Sequence, residues 1–285
     1  MKKLFLTFVF AFVATLAAMA QQISVVSSSG TTTLYQTLED AIEGANPGSV
    51  IYLPGGSFPI SDDVKITKKL TIIGIGHKSN NENVDCSTII SNNLFFSENC
   101  SGSALMGCYI IGNVNISNGQ DDIAIKFCNI NELIINDCNR TFVNQNYIRY
   151  RIAGAGTNAT ITNNIISHCR WLSNAKINYN IISSGFWDCH NDIIKNNVIK
   201  GSVGECSNNF FENNLENVDF SSVFTSNYHF TETFANYESQ VGIYAGDGFN
   251  DQQIAPVPYI VAKRVDEQTD ASGKLNVKIR VKAGQ

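Results

Sequence analysis

Aliphatic and polar residues recur along this chain in one short phrase. It reads TITNNII at 160–166, KINYNII at 176–182, IIKNNVI at 193–199 and FFENNLE at 210–216. Aligned on their shared asparagine, the copies give Asn129, Asn146, Asn164, Asn180, Asn197 and Asn214, in steps of 17, 18, 16, 17 and 17 residues. Three places before the asparagine stands Val143, Ile161, Ile177, Ile194 or Phe211. Two places after stands Ile148, Ile166, Ile182 or Ile199, decaying to Glu216 in the last copy. A second column, six places earlier, holds Asn158, Asn174, Asn191 and Asn208. A third, eight places earlier, holds Cys138, Gly156, Leu172, Cys189 and Cys206. The period is too short for a helical hairpin repeat and suits a coil of two or three short strands. Stacked coils pair each strand with its counterpart, which demands one side-chain type per column. The aliphatic columns are therefore expected to face inward. The asparagines are expected at corners, hydrogen-bonded amide to amide, because asparagine tolerates the left-handed backbone of tight turns.

The two ends carry other patterns. In TLYQTLEDAIEGANPGS, Leu34, Leu38, Ala41, Ile42 and Ala45 fall on one helical face. Thr33 with Gln36 reads as a capping box, and Asn46-Pro47-Gly48 as the stop. This helix is expected to cover the first coil, which VIYLPGGSFPI and KLTIIGIG begin. Past about residue 235 the phrase is lost. A loop-rich stretch, GIYAGDGFNDQQIAPVP, leads into YIVAKRV and KLNVKIRVKA around Asp270-Ala271-Ser272-Gly273, a terminal β-hairpin. The expected division is a leader at 1–20, a cap at 21–48, a solenoid at 49–235 and a tail at 236–285.

On the I-x-N-N-x-I phrase and its repetition, residues 46–230 resemble the right-handed parallel β-helix proteins of the pectate-lyase-like group. The resemblance implies an all-β fold, a right-handed parallel solenoid with a helical N-terminal cap and a short β tail. That fold carries lyases, hydrolases, esterases, phage fibres and adhesins, so activity must be read from a site. The stretch NGQDDIAIKF is similar to the paired-aspartate phrase of polygalacturonases, but Asp121 and Asp122 sit one place late against Ile123-Ala124-Ile125-Lys126. One residue of slip turns a strand side chain to the other face. The pair is expected to be a turn between coils.

Lys2, Lys3, the apolar run from Leu4 to Ala17 and Ala18-Met19-Ala20 read as an export signal. The run is too short for a membrane span, and no second stretch is long enough. The expected location is periplasmic or extracellular. Without Lys2 and Lys3 the chain has 18 basic and 25 acidic residues, a formal charge of −7. That balance argues against nucleic acid, anionic membrane and polyanionic glycans, unless a metal or a local basic patch intervenes.

The eight cysteines form neither a zinc pattern nor a disulfide scaffold. Cys189 and Cys206 fall in register, as do Cys108 and Cys128. A buried column of small apolar residues and a disulfide both fit. Candidate chemistry centres on the column Asp137, Ala155, Trp171, Asp188 and Glu205, nine places before the asparagines. Its neighbours are His168, Arg170, Trp187 and His190, in SHCRWL and FWDCHND. Strand alternation next to the cysteine column is expected to turn it outward. Aromatic rings beside carboxylates suit a sugar face, so Trp171, Trp187, Arg170, His168 and His190 are candidate glycan contacts. Asp188 and Glu205, one coil apart, are the candidate catalytic pair, at a spacing that also suits a shared calcium ion. Asp247, Asn250 and Asp251 match no defined calcium loop. No metal ligand or cofactor is assigned. The expectation is an exported solenoid contacting a polysaccharide through an outer strand face; a structural or adhesive rod and a lyase or hydrolase are the open alternatives. No protein partner is assigned.

Overall fold

The computed structural model describes residues 22–61, 63–77, 87–155, 158–251, 259–265, 274 and 277–282. The expected signal segment, Cys86, Gly156 and the 270–273 turn lie outside them. The chain forms a parallel β-solenoid of about nine turns. Its two principal sheets have eleven and twelve strands. In the first sheet Ile125, Val143, Ile161, Ile177 and Ile194 pair in register. In the second, Ile130, Ile148, Ile166, Ile182 and Ile199 do the same. Both columns are buried and fill one continuous core. Each strand alone would expose its aliphatic face; stacking removes that face from water, at roughly 25 cal/mol per Å² of apolar surface.

The double asparagine of the phrase has two jobs. Its first position holds a left-handed backbone: Gln145, Asn163, Tyr179, Asn196 and Asn213 have φ of 56°, 54°, 57°, 56° and 51°. Its second position builds the ladder. Each amide oxygen from Asn164 through Asn214, the last only half-buried, accepts both the backbone N–H and the side-chain N–H of the asparagine one coil earlier, at 2.8–3.0 Å. The amide nitrogens donate to carbonyls of the inward strand, such as Ile161 and Ile177.

Asn129 is not part of this ladder. Ile130 pairs with Ile148, so Asn129 stands beside Tyr147. Cys128 stands above Asn146 and donates its backbone N–H to that amide at 2.9 Å. The strands pair here at 18 residues, whereas Asn129 precedes Asn146 by 17, so counting by the phrase slips the register by one. Cys108, in turn, stands above Cys128.

The cap also differs in detail from its expected form. The helix is Leu38–Gly44, and its N-cap is Thr37, whose hydroxyl accepts from the Asp40 N–H. Thr33 and Leu34 belong instead to a strand, Thr32–Tyr35, antiparallel to Ile23–Val26. That pairing satisfies backbone groups a short helix extension would leave open, and it leaves Leu34 exposed. Leu38, Ala41, Ile42 and Ala45 join the solenoid core. Lys68 holds the helix end through the carbonyls of Glu43 and Ala45.

The last solenoid strand is Leu215–Glu216. The chain then turns back along the outside of the second sheet. Val223, Phe224, Phe230, Val241 and Ile243 bury the outward residues Ile165, Ile181 and Val198 in a second core. Asn163 fastens this cover by donating to the Ile243 and Ala245 carbonyls, both at 2.8 Å. Strands Tyr259–Val265 and Val277–Lys282 form the expected antiparallel hairpin as a separate sheet. Among the described residues no helix is long and apolar enough to cross a membrane.

Candidate functional site

Five strands of the second sheet bend in their middles: Tyr109–Ile116, Asn129–Ile135, Tyr147–Ala153, Ile165–Arg170 and Ile181–Trp187. Register is kept through Ile130, Ile148, Ile166 and Ile182, then shifts, and resumes with Glu132, Arg151, His168 and Gly185 side by side. Extra residues at such bulges re-aim their neighbours outward. Gly185 is required there, with φ of 87° and a position where a Cβ would fall 2.0 Å from the Ser202 carbonyl oxygen.

The bend gathers cations and rings. Glu132, only 7% exposed, is ion-paired to Arg151. Tyr150 meets His168 edge to face with centroids 5.0 Å apart. The Arg151 guanidinium lies 5.2 Å from the Tyr150 ring and 5.0 Å from the Trp171 ring. Arg170 packs on Trp171 at 4.2 Å, and its buried Nε has no hydrogen-bond partner among the described residues. Arg170 also pairs in register with Trp187. Tyr150, Trp171 and Trp187 are all exposed. Arg149 adds a third guanidinium, clamped on Asn129 and the Ile110 and Ile111 carbonyls and packed on Tyr109. Burial pushes the His168 pKa below its ordinary value, and Arg151 and Arg170 push it the same way against Glu132. The imidazole is therefore neutral at pH 7.

The column containing Trp171, Asp188 and Glu205 reaches the surface by a different route from strand alternation. Asp137, Trp171, Asp188 and Glu205 have φ of 51°, 58°, 55° and 50°, so they form a left-handed corner. That corner is a turn, and turns lie at the surface whatever the neighbouring strand parity. Successive coils are tied there by Trp171 N–H to the Trp187 carbonyl and Asp188 N–H to the Gly204 carbonyl. Trp171, Asp188 and Glu205 thus succeed one another along the solenoid, while Asp137 lies coils away. Asp188 is held by His190 at 2.8 Å, and His190 in turn meets the Ser207 hydroxyl at 2.8 Å.

Other candidates take plain structural roles. Asp122 has φ of 59°, and Arg140 bridges Asp121 and Asp122, which close a turn. The arginine hydrogen bond holds the Asp122 carboxyl below its usual range. Among the described residues seven cysteines carry free thiols, six of them buried. Burial raises the Cys128 and Cys189 thiols to about 12, which keeps them protonated. Asp251 is engaged by Tyr244 and His229. Among the described residues no three His, Cys, Asp or Glu side chains gather as a metal site.

Comparison with protein-family models, with curated proteins and with solved structures finds no match to this chain. What the fold and site define is a class: a parallel β-solenoid with arginines and aromatic rings on an outer face. Sequence reading reached Trp171, Trp187, Arg170, His168, Asp188 and His190 of that face. It missed Glu132, Tyr150, Arg151 and Ser207. Ser207 had a signal, since ECSNN laid over DCHND sets it under His190.

Proposed function

We propose that this solenoid binds an acidic polysaccharide along the bend and corner formed by Tyr150, Arg151, Arg170, Trp171 and Trp187. The observation that supports this most directly is Arg170, a guanidinium packed on an exposed tryptophan with no carboxylate partner among the described residues. A planar guanidinium accepts a carboxylate through two parallel hydrogen bonds, and rings stack on the apolar faces of sugars. The net charge of the chain opposes a polyanion, but on this face Arg151 is balanced by Glu132 while Arg170 has no carboxylate partner among the described residues and is left to meet an anion. In the same reading the solenoid is right-handed and of the pectate-lyase-like kind, and the protein is exported to the periplasm or beyond the cell. Turnover is not required by it.

Trp171→Ala is expected to weaken binding to uronate oligosaccharides by roughly tenfold, with unfolding temperature unchanged. Calorimetric titration of wild type and variant against oligogalacturonate and oligomannuronate measures this. Equal affinities would remove the face from the reading, and a wild type that binds neither would remove the reading.

Binding should also respond to pH. In the free protein Arg151 and Arg170 oppose protonation of His168, with Glu132 favouring it and the Tyr150 ring alongside. A carboxylate docked on Arg170 offsets that repulsion, so the complex holds the His168 proton more tightly. Affinity is therefore expected to rise as pH falls through the imidazole range, and the rise should vanish in His168→Gln. A pH series of the same titrations decides it; a wild-type profile as flat as that of the variant would contradict the linkage.

A further inference from the structure

The last two turns of the solenoid set Asp188, His190 and Ser207 in one hydrogen-bonded line at the surface. Asp188 Oδ1 lies 2.8 Å from His190 Nε2, and His190 Nδ1 lies 2.8 Å from Ser207 Oγ. With its proton on Nε2, the imidazole donates to the carboxylate and accepts the seryl hydrogen. This is the arrangement by which a carboxylate-oriented base activates a serine. The backbone fixes it from both sides. His190 and Ser207 form a parallel bridge, each directly after an inward cysteine, Cys189 or Cys206. The left-handed corner at Asp188 brings its carboxylate back to the imidazole two residues on.

A donor for developing negative charge stands beside the serine. On the preceding coils Asn174 and Asn191 give their N–H groups to the carbonyls of His190 and Ser207. Asn208 holds the same place on the last coil, with φ of 57°. Among the described residues no further coil follows to accept its N–H. The site also adjoins the sugar face, because Trp171 precedes Asp188 by one coil and Trp187 is its chain neighbour.

We propose that Ser207 is the nucleophile of an ester-hydrolysing site. His190 is its general base, Asp188 positions His190, and the Asn208 N–H receives the oxyanion. The substrate class is an acyl ester on a sugar hydroxyl, which rests on the polysaccharide reading above. Ser207 Oγ bonds to the ester carbonyl carbon as its proton passes to His190 Nδ1, and the carbonyl electron pair moves onto oxygen beside the Asn208 N–H. Collapse breaks the carbon–oxygen bond to the sugar, whose oxygen leaves with the proton from His190. Water then gives a proton to His190 and its oxygen to the acyl carbon; the bond from that carbon to Ser207 Oγ breaks, Oγ takes the proton back from His190, and the carboxylic acid leaves. Esters suit a site this open, since the His190 and Asp188 side chains are 38% and 41% exposed. An alkoxide leaves without the strong protonation an amide nitrogen needs.

The test is labelling of the whole chain with a fluorophosphonate, together with hydrolysis of 4-nitrophenyl acetate and of an acetylated uronate polysaccharide. One label on Ser207, located by peptide mass spectrometry and absent in Ser207→Ala, is the expected result. His190→Gln should slow labelling and hydrolysis by roughly 100-fold or more. Asp188→Asn should lower kcat, leave KM unchanged and alter the pH profile, which a purely structural role would not do. A wild-type chain that takes no label at Ser207, or hydrolysis that survives Ser207→Ala, overturns the proposal. The polysaccharide reading fails separately: a chain that labels at Ser207 but binds no acidic glycan keeps the esterase and loses the sugar face, and binding without label does the reverse.

Discussion

Asn180→Ala is expected to destabilise the solenoid by roughly 3–6 kcal/mol, or to prevent folding, because it strands several buried groups worth about 1–3 kcal/mol each. The Asn180 amide oxygen accepts the Asn164 backbone N–H and side-chain N–H. Its nitrogen donates to the Ile161 and Asn178 carbonyls and to the Asn197 amide oxygen. All of this lies at a position with no exposure, so water cannot replace what is lost. A domain of ordinary stability has about 5–15 kcal/mol in total, so a single rung is a large share of it. Asn213→Ala is the control. Asn213 is the left-handed member of its pair, with an exposed bond to Asn196, and its loss should cost about 1 kcal/mol of backbone strain. Thermal unfolding followed by circular dichroism compares them. If the two variants lose stability equally, the ladder contributes no more than asparagine's turn preference.

The columns behind this argument were legible because in-register parallel stacking repeats one side-chain type at each level. Ile161, Ile177 and Ile194 had to recur once the coil was recognised. What the sequence concealed lies where coils change length. Asn129 matched the 17-residue spacing of the ladder, yet the strands there pair at 18 residues, which puts Cys128 above Asn146 instead. The bends of the second sheet hid half of the candidate site. Glu132 and Arg151 are 19 residues apart and meet only because the register of their strands shifts by one residue after Ile130 and Ile148. No fixed period brings them together. Arg170 and Trp171 were legible as a pair through adjacency in sequence, and their exposure was anticipated for the wrong reason, a strand face where the chain makes a corner. At the N-terminus the helical face correctly picked Leu38, Ala41, Ile42 and Ala45, but local periodicity carries no information about the antiparallel partner that draws Leu34 into a strand. The Asp188, His190 and Ser207 line needed both a corner and a register, which is why carboxylate and imidazole were singled out without their serine.

Asp192→Asn is expected to stabilise the protein at neutral pH by roughly 2–3 kcal/mol and to leave it almost unchanged near pH 4. Asp192 is 1% exposed and occupies a minor polar column beside the main ladder. Its Oδ1 accepts the Ala175 N–H at 2.7 Å, while its buried Oδ2 has no partner among the described residues. One coil on, Asn209 fills the same place and donates its side-chain nitrogen to the Cys189 carbonyl at 2.9 Å. The equivalent acceptor for residue 192 is the Leu172 carbonyl, toward which a carboxylate can give nothing unless protonated. Burial accordingly raises the Asp192 pKa from 3.8 to about 6, the Ala175 N–H and His190 working the other way. The sign follows from proton binding. The folded state holds this proton more tightly than the unfolded chain does, so the contribution is complete below pH 3.8 and is lost as pH rises through about 6. Asparagine carries its N–H at every pH and removes that loss. At roughly 2–4 °C per kcal/mol the variant should unfold several degrees higher than wild type at pH 7.5, with the two curves converging on acidification. A variant no more stable than wild type at pH 7.5, or an advantage that persists undiminished at pH 4, would mean that Asp192 gains more from its charge than the missing donor costs it.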